Sequence, residues 1–189
     1  MDYQEIEDVL KTMPPQFAVA FAARCVRRVL PLYRYEGNEE QAILNFQDVQ
    51  HAIKLAENFA CGLANSVTAI NSAANAAAEA ASESVGFAAS SVGYAAASAA
   101  EGNDQDVISH AADAVASAIA AADSDSVVSA ADLKILISME SEGRSAKIDV
   151  GEQGPLGILW SDKEPDWYLT SWNSWNEVLE TNSPDSMNT

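Results

Sequence analysis

Apolar residues recur at helical spacing along most of the chain, and the rhythm breaks where Pro, Gly or short polar runs intervene. Ile6, Val9 and Leu10 put one apolar side on a short opening helix over 3–12, which Pro14-Pro15 ends. The same prolines suit the first turn of a second helix over 15–35, whose Val19, Ala22, Val26, Val29 and Tyr33 form a continuous face. Pro31 should bend that helix near its end. Asn38 can cap a third helix, with Gln41 completing a capping box. Its core face runs through Ala42, Phe46, Val49, Ile53, Ala56, Ala60, Leu63 and Val67. Gln47, Gln50, His51, Lys54 and Glu57 fall on the far side, toward solvent.

From Leu55 to Asp132 there is no lysine or arginine, and about a third of the residues are alanine. Alanine loses no side-chain entropy in a helix and lets axes approach closely, so this block predicts tightly packed helices. Within it Ser84-Val85-Gly86-Phe87-Ala88-Ala89 recurs as Ser91-Val92-Gly93-Tyr94-Ala95-Ala96. A seven-residue step keeps equivalents on one stripe, and Val85/Val92 lie nearly opposite Phe87/Tyr94. Such a segment is either a central helix packed on both faces, the reading we favour, or one whose second face meets another chain; the oligomeric state stays open. A further helix spans 104–122, and Asp123-Ser124-Asp125 opens another that runs to about 141 and ends at Gly143.

Residues 143–170 are irregular, and Trp160, Trp167, Trp172 and Trp175 all lie near the end of the chain. Indoles of that size can fill grooves left by an alanine-lined bundle. A last short helix is expected from Ser174 to Glu180, beginning with the capping box Ser174-Trp175-Asn176-Glu177. The expected architecture is all-α: an alanine-rich antiparallel bundle of five to seven helices over 1–142, with the irregular Trp-rich segment 143–189 docked on the same domain.

Composition narrows the function. The chain has 189 residues, 48% of them hydrophobic, enough for one sizeable core. A formal charge of −18 argues against a nucleic-acid-binding surface, which needs clustered Lys and Arg, and favours either a basic partner or none, the excess acid then serving only to keep a helical protein soluble. The first residues have no signal-peptide character and no apolar run reaches the ~20 residues a membrane span needs, so a cytoplasmic protein with reduced Cys25 and Cys61 is expected. Cys25, Cys61, His51 and His110 include no closely spaced pair, which leaves no metal site and implies no cofactor.

The one basic cluster is Arg24, Arg27 and Arg28, with Arg34 on the same side. It is either structural, paired with helix acids such as Glu57, Glu79 or Glu83, or a site for an anion or carboxylate. Arg24 beside Cys25 could lower that thiol's pKa, although a small core residue is the simpler role. Arg24, Arg27, Arg28, Trp160 and Trp167 are the candidate binding residues.

The run from Phe17 through Arg24-Cys25 and Arg27-Arg28 to Tyr33, the stretch Ala52-Ile53-Lys54-Leu55-Ala56-Glu57, and the ending Gly154-Pro155-Leu156-Gly157-Ile158-Leu159-Trp160 with Glu164-Pro165-Asp166-Trp167 resemble a group of uncharacterised alanine-rich bacterial proteins. The resemblance implies a bacterial, intracellular helical protein and brings no activity or catalytic residues with it. Together these readings predict a non-enzymatic protein-binding module, an acidic immunity or accessory protein with a basic partner. The alternatives are an enzyme with its site on the Arg24/Arg27/Arg28 face, and an acidic nucleic-acid mimic.

Overall fold

A computed structural model describes residues 2–181 apart from 36, 64, 82–83, 125–126, 144–146 and 161–162. The described chain is an all-α bundle: α1 (Tyr3–Leu10), α2 (Pro15–Val29), a 3-10 turn (Leu30–Leu32), α3 (Glu39–Ala60), α4 (Val67–Glu79), α5 (Ser84–Glu101), α6 (Asp104–Ala122), α7 (Ala130–Ser141) and α8 (Asp166–Thr181). None of these helices is long and apolar enough to cross a membrane. Short links between α3, α4, α5 and α6, each packed on the next, make these neighbours antiparallel.

The centre of the bundle is α2. Every residue from Phe17 to Val29 except Arg27 is buried, and α3, α5 and α6 all pack on it. Pro15 occupies its first turn as expected, while Pro31, lacking an N–H, ends the α-helix in the 3-10 turn instead of bending a longer one. α3 begins at the Asn38 cap, whose Oδ1 accepts from the Gln41 N–H at 2.8 Å, but the Gln41 side chain donates to Asn45 and leaves the capping box half made. α3 also stops sooner than its apolar rhythm suggests. Gly62, at φ +68°, closes a Schellman motif in which Leu63 N–H reaches Asn58 O, so Leu63 turns out to solvent.

The alanine-rich run divides into α4 and α5, which takes the number of described helices to eight. Val85 and Val92 are buried as expected, but Phe87 is 55% exposed and Tyr94 half-buried, so the second stripe of α5 is not in the core. The repeated glycines explain the period better. A Cβ on Gly86 would lie 2.6 Å from Ala81 Cα, and one on Gly93 would lie 2.8 Å from Ala74 Cβ. They let α5 approach α4 and the turn that follows it.

Two further boundaries move. Asp123 sits at the C-cap of α6 with φ 48°, Asp125 lies outside the described residues, and α7 starts later, on the Ser129 cap that accepts from Asp132 N–H. α8 starts at Asp166 just after Pro165, so Ser174 lies inside it and donates to Thr170 O. Trp175 anchors α8: its ring stacks on Phe46 with centroids 4.0 Å apart, and its N–H donates to Tyr33 O at 3.2 Å. Trp172 meets the edge of Phe46. α8 thus docks on Tyr33 and Phe46 of the bundle.

Candidate functional site

Arg24 and Arg28, one turn apart on α2, are 2% and 1% exposed. A charge buried that deeply is tolerated only when paired and fully hydrogen-bonded. Both meet one carboxylate, Asp132 of α7, itself 3% exposed: Arg24 Nε lies 2.9 Å from Oδ2 and Arg28 Nη2 2.7 Å from the same oxygen. Main-chain carbonyls, all but that of Val127 in the segment before α8, take up most of the remaining donors. Arg24 Nη1 donates to Val150 O and Gly157 O, and Nη2 to Leu156 O and Ile158 O. Arg28 donates to Val127 O and twice to Leu159 O. Its guanidinium also lies 5.6 Å from the centre of the Trp160 ring.

This arrangement explains how a turn-rich segment is ordered without strands of its own. Its carbonyls, which would otherwise be buried without donors, are met by arginines on the central helix. Arg24 and Arg28 are therefore structural, and every guanidinium nitrogen of each is engaged. Both are buried, and the partners they use are Asp132 and main-chain carbonyls, not the anticipated helix acids. Arg27 does pair with the anticipated Glu57, by Nε–Oε1 at 2.9 Å and Nη2–Oε2 at 2.6 Å. Glu79 is not a partner in any of these bonds, and Glu83 lies outside the described residues.

Cys25 beneath the clamp is wholly buried. Desolvation pushes its thiol up to about 12, outweighing the lowering by Arg28 and Arg24, so it is an unreactive core residue and the lowered pKa is corrected.

Beside the clamp opens a cleft of about 580 Å³. α2 and α3 form one wall through Arg27, Lys54, Glu57, Asn58 and Cys61; the other comprises residues 149–152, Ile158, Leu159, Trp160, Glu164 and Tyr168. Trp167 packs edge-on to Trp160 and Tyr168 behind that wall. Of the other cations on the cleft, Arg27 is paired with Glu57, while Lys54 is largely exposed with its Nζ 3.9 Å from Glu57 Oε2. Asp149 Oδ1 caps the Gly151 N–H, while Glu152 and Glu164 make no ion pair among the described residues. No group of three metal-ligating side chains occurs among the described residues.

Of the residues chosen from sequence, Arg27 and Trp160 line the cleft, Trp167 backs it, and Arg24 borders it with its donors spent. Asp132, Glu152, Glu164 and Tyr168 were not singled out by spacing. Compared with known proteins, the chain matches no family model, no curated protein and no solved structure.

Proposed function

We propose that this chain is a non-enzymatic binding module, an acidic immunity or accessory protein that engages a basic protein. The observation that carries this reading is the internal use of its cations. The buried trio Arg24, Arg28 and Asp132 has a formal charge of +1, so the rest of the chain carries −19 against −18 for the whole. Arg27 is tied to Glu57 in addition. The surface is left with acids that attract a cationic partner over a Debye length and speed its encounter.

The same engagement weakens the enzymatic alternative, because Arg24 and Arg28 are buried and bonded inside the fold and Arg27 is paired with Glu57. The test is capture from the source lysate on the immobilised protein at low salt, with an unrelated acidic protein of equal charge as control, then reconstitution with the purified partner. A basic protein retained only by this chain, released by salt and forming a defined complex, supports the reading. Retention of the same proteins by both resins, or co-purification of a small molecule instead, opposes it.

A further inference from the structure

We infer that the outward face of α5 is a self-association surface, on which a second copy of this chain seats its own α5, antiparallel, about a two-fold axis beside Ser91. This goes beyond the binding-module reading and is independent of it. α5 packs between α4 and α6, with its glycines and valines turned inward. Its outward side reads Ser84, Phe87, Ser91, Tyr94 and Ser98, at alternating steps of three and four. None of the five is buried, and Phe87 is the most exposed aromatic side chain among the described residues. A stripe that repeats every seven residues is the spacing with which two helices keep one seam in contact along their length. The order small, aromatic, small, aromatic, small reads alike in both directions. A two-fold axis beside Ser91 therefore brings Ser91 to its counterpart, Ser84 toward Ser98 of the second copy and Phe87 toward its Tyr94. Tyr94 is already held in place, its ring 5.6 Å from that of His110 and its hydroxyl donating to Asn75 Oδ1, so little side-chain freedom is lost on contact.

Charge and area select the occupant. On a chain of formal charge −18, no charged residue occurs from Ser84 to Ala100. The carboxylates Glu79, Glu101, Asp104 and Asp106 stand at the ends of α4, α5 and α6, and Asp113 faces Tyr3 of α1. A basic protein finds nothing to pair with on this face, whereas two acidic copies approach here with the least repulsion. The 18 residues of α5 make a face about 27 Å long. With its flanking helices about 8–10 Å to either side it offers on the order of 600 Å² per copy, close to the total of about 1,200 Å² at which specific interfaces begin.

The test is sedimentation equilibrium of the full chain over a concentration series at low and at high salt. The wild type should dimerise with a Kd on the order of 10–100 μM, the weak end for a face of this area. The dimer should tighten as salt screens the repulsion between two acidic copies, the reverse of the response expected with a basic partner. Phe87→Asp and Ser91→Asp each set like charges on the face and should weaken the dimer at least about tenfold, with circular dichroism reading an unchanged helical fold. Leu63→Asp, equally exposed just past the end of α3, should change it by less than about twofold. In a Cys61→Ser background treated with oxidised glutathione, Ser91→Cys should give a disulfide-linked dimer. Ser84→Cys, about 20 Å from its counterpart in the antiparallel pair, should not. A wild type still monomeric at about ten times that Kd range, a dimer that loosens with salt, or one that Leu63→Asp weakens as much as Phe87→Asp does would overturn the assignment of this face. Linkage through Ser84→Cys would overturn the axis beside Ser91. None of these results bears on the basic partner, whose capture rests on the acidic surface.

Discussion

Asp132→Ala is the most revealing single perturbation of this fold. It removes a carboxylate that accepts from Arg24 Nε at 2.9 Å, Arg24 Nη2 at 3.4 Å and Arg28 Nη2 at 2.7 Å, all in buried surroundings. The two guanidinium groups would keep their carbonyl partners but lose the only anion among the described residues that pairs with them. Breaking a buried ion pair from one side costs about 3–5 kcal/mol, because the remaining charge stays desolvated. At about 2–4 °C per kcal/mol for a chain of this size, the melting temperature should fall by about 6–20 °C. Calorimetry or circular dichroism at constant salt reads this directly. Arg27→Ala, on the same helix, is the internal comparison: its partly exposed pair with Glu57 should contribute about 1 kcal/mol or less. Replacing Arg24, Arg28 and Asp132 together by apolar residues should also destabilise, unlike a simple buried pair, because the carbonyls of Val150, Leu156, Gly157, Ile158 and Leu159 would lose their donors. An Asp132→Ala protein melting within about 2 °C of wild type would refute the reasoning, since that is a loss of at most about 1 kcal/mol.

Trp175→Ala should cost about 3–5 kcal/mol, as it removes the ring stacked on Phe46 and the bond to Tyr33 O, and denaturant melts would measure it. Phe87→Ala, by contrast, should change stability by no more than about 1 kcal/mol, since over half of that side chain is in water. Gly93→Ala should destabilise by about 1–3 kcal/mol despite alanine's better helix propensity, because its Cβ would crowd Ala74. Between the ordinary thiol value of 9.0 and about 12, the unfolded chain releases the Cys25 proton while the folded chain retains it. Stability should therefore fall as pH rises through that window, and Cys25→Ala should flatten the fall in pH-dependent denaturant melts.

The helical class and most helix starts were legible because they rest on local signals: the 3.6-residue period, Pro15 at a first turn, Asn38 as a cap. The ends were less so. Leu63 and Val67 continue the apolar rhythm of α3 in sequence, yet Gly62 reverses the backbone between them and the helix. The repeat of α5 was visible, but its glycines report on Ala74 and Ala81, which sequence spacing does not bring near. The burial of Arg24 and Arg28 was not legible from their residue type, since arginine ordinarily lies at the surface. The available signal was the rest of α2, apolar all round from Phe17 to Val29, which leaves its arginines no polar face to occupy. Asp132 could not be recognised as their partner, being one of 28 acids and placed like any first-turn capping residue. The carbonyls that complete the clamp have no sequence signature at all.

The proposed binding of a basic protein through charge is tested by sedimentation of the purified chain mixed with the basic protein recovered from the lysate, at low and at high salt. A stoichiometric complex is expected at low salt and should dissociate as salt is raised. A mixture that sediments as separate components at low salt, or a complex indifferent to salt, would contradict it.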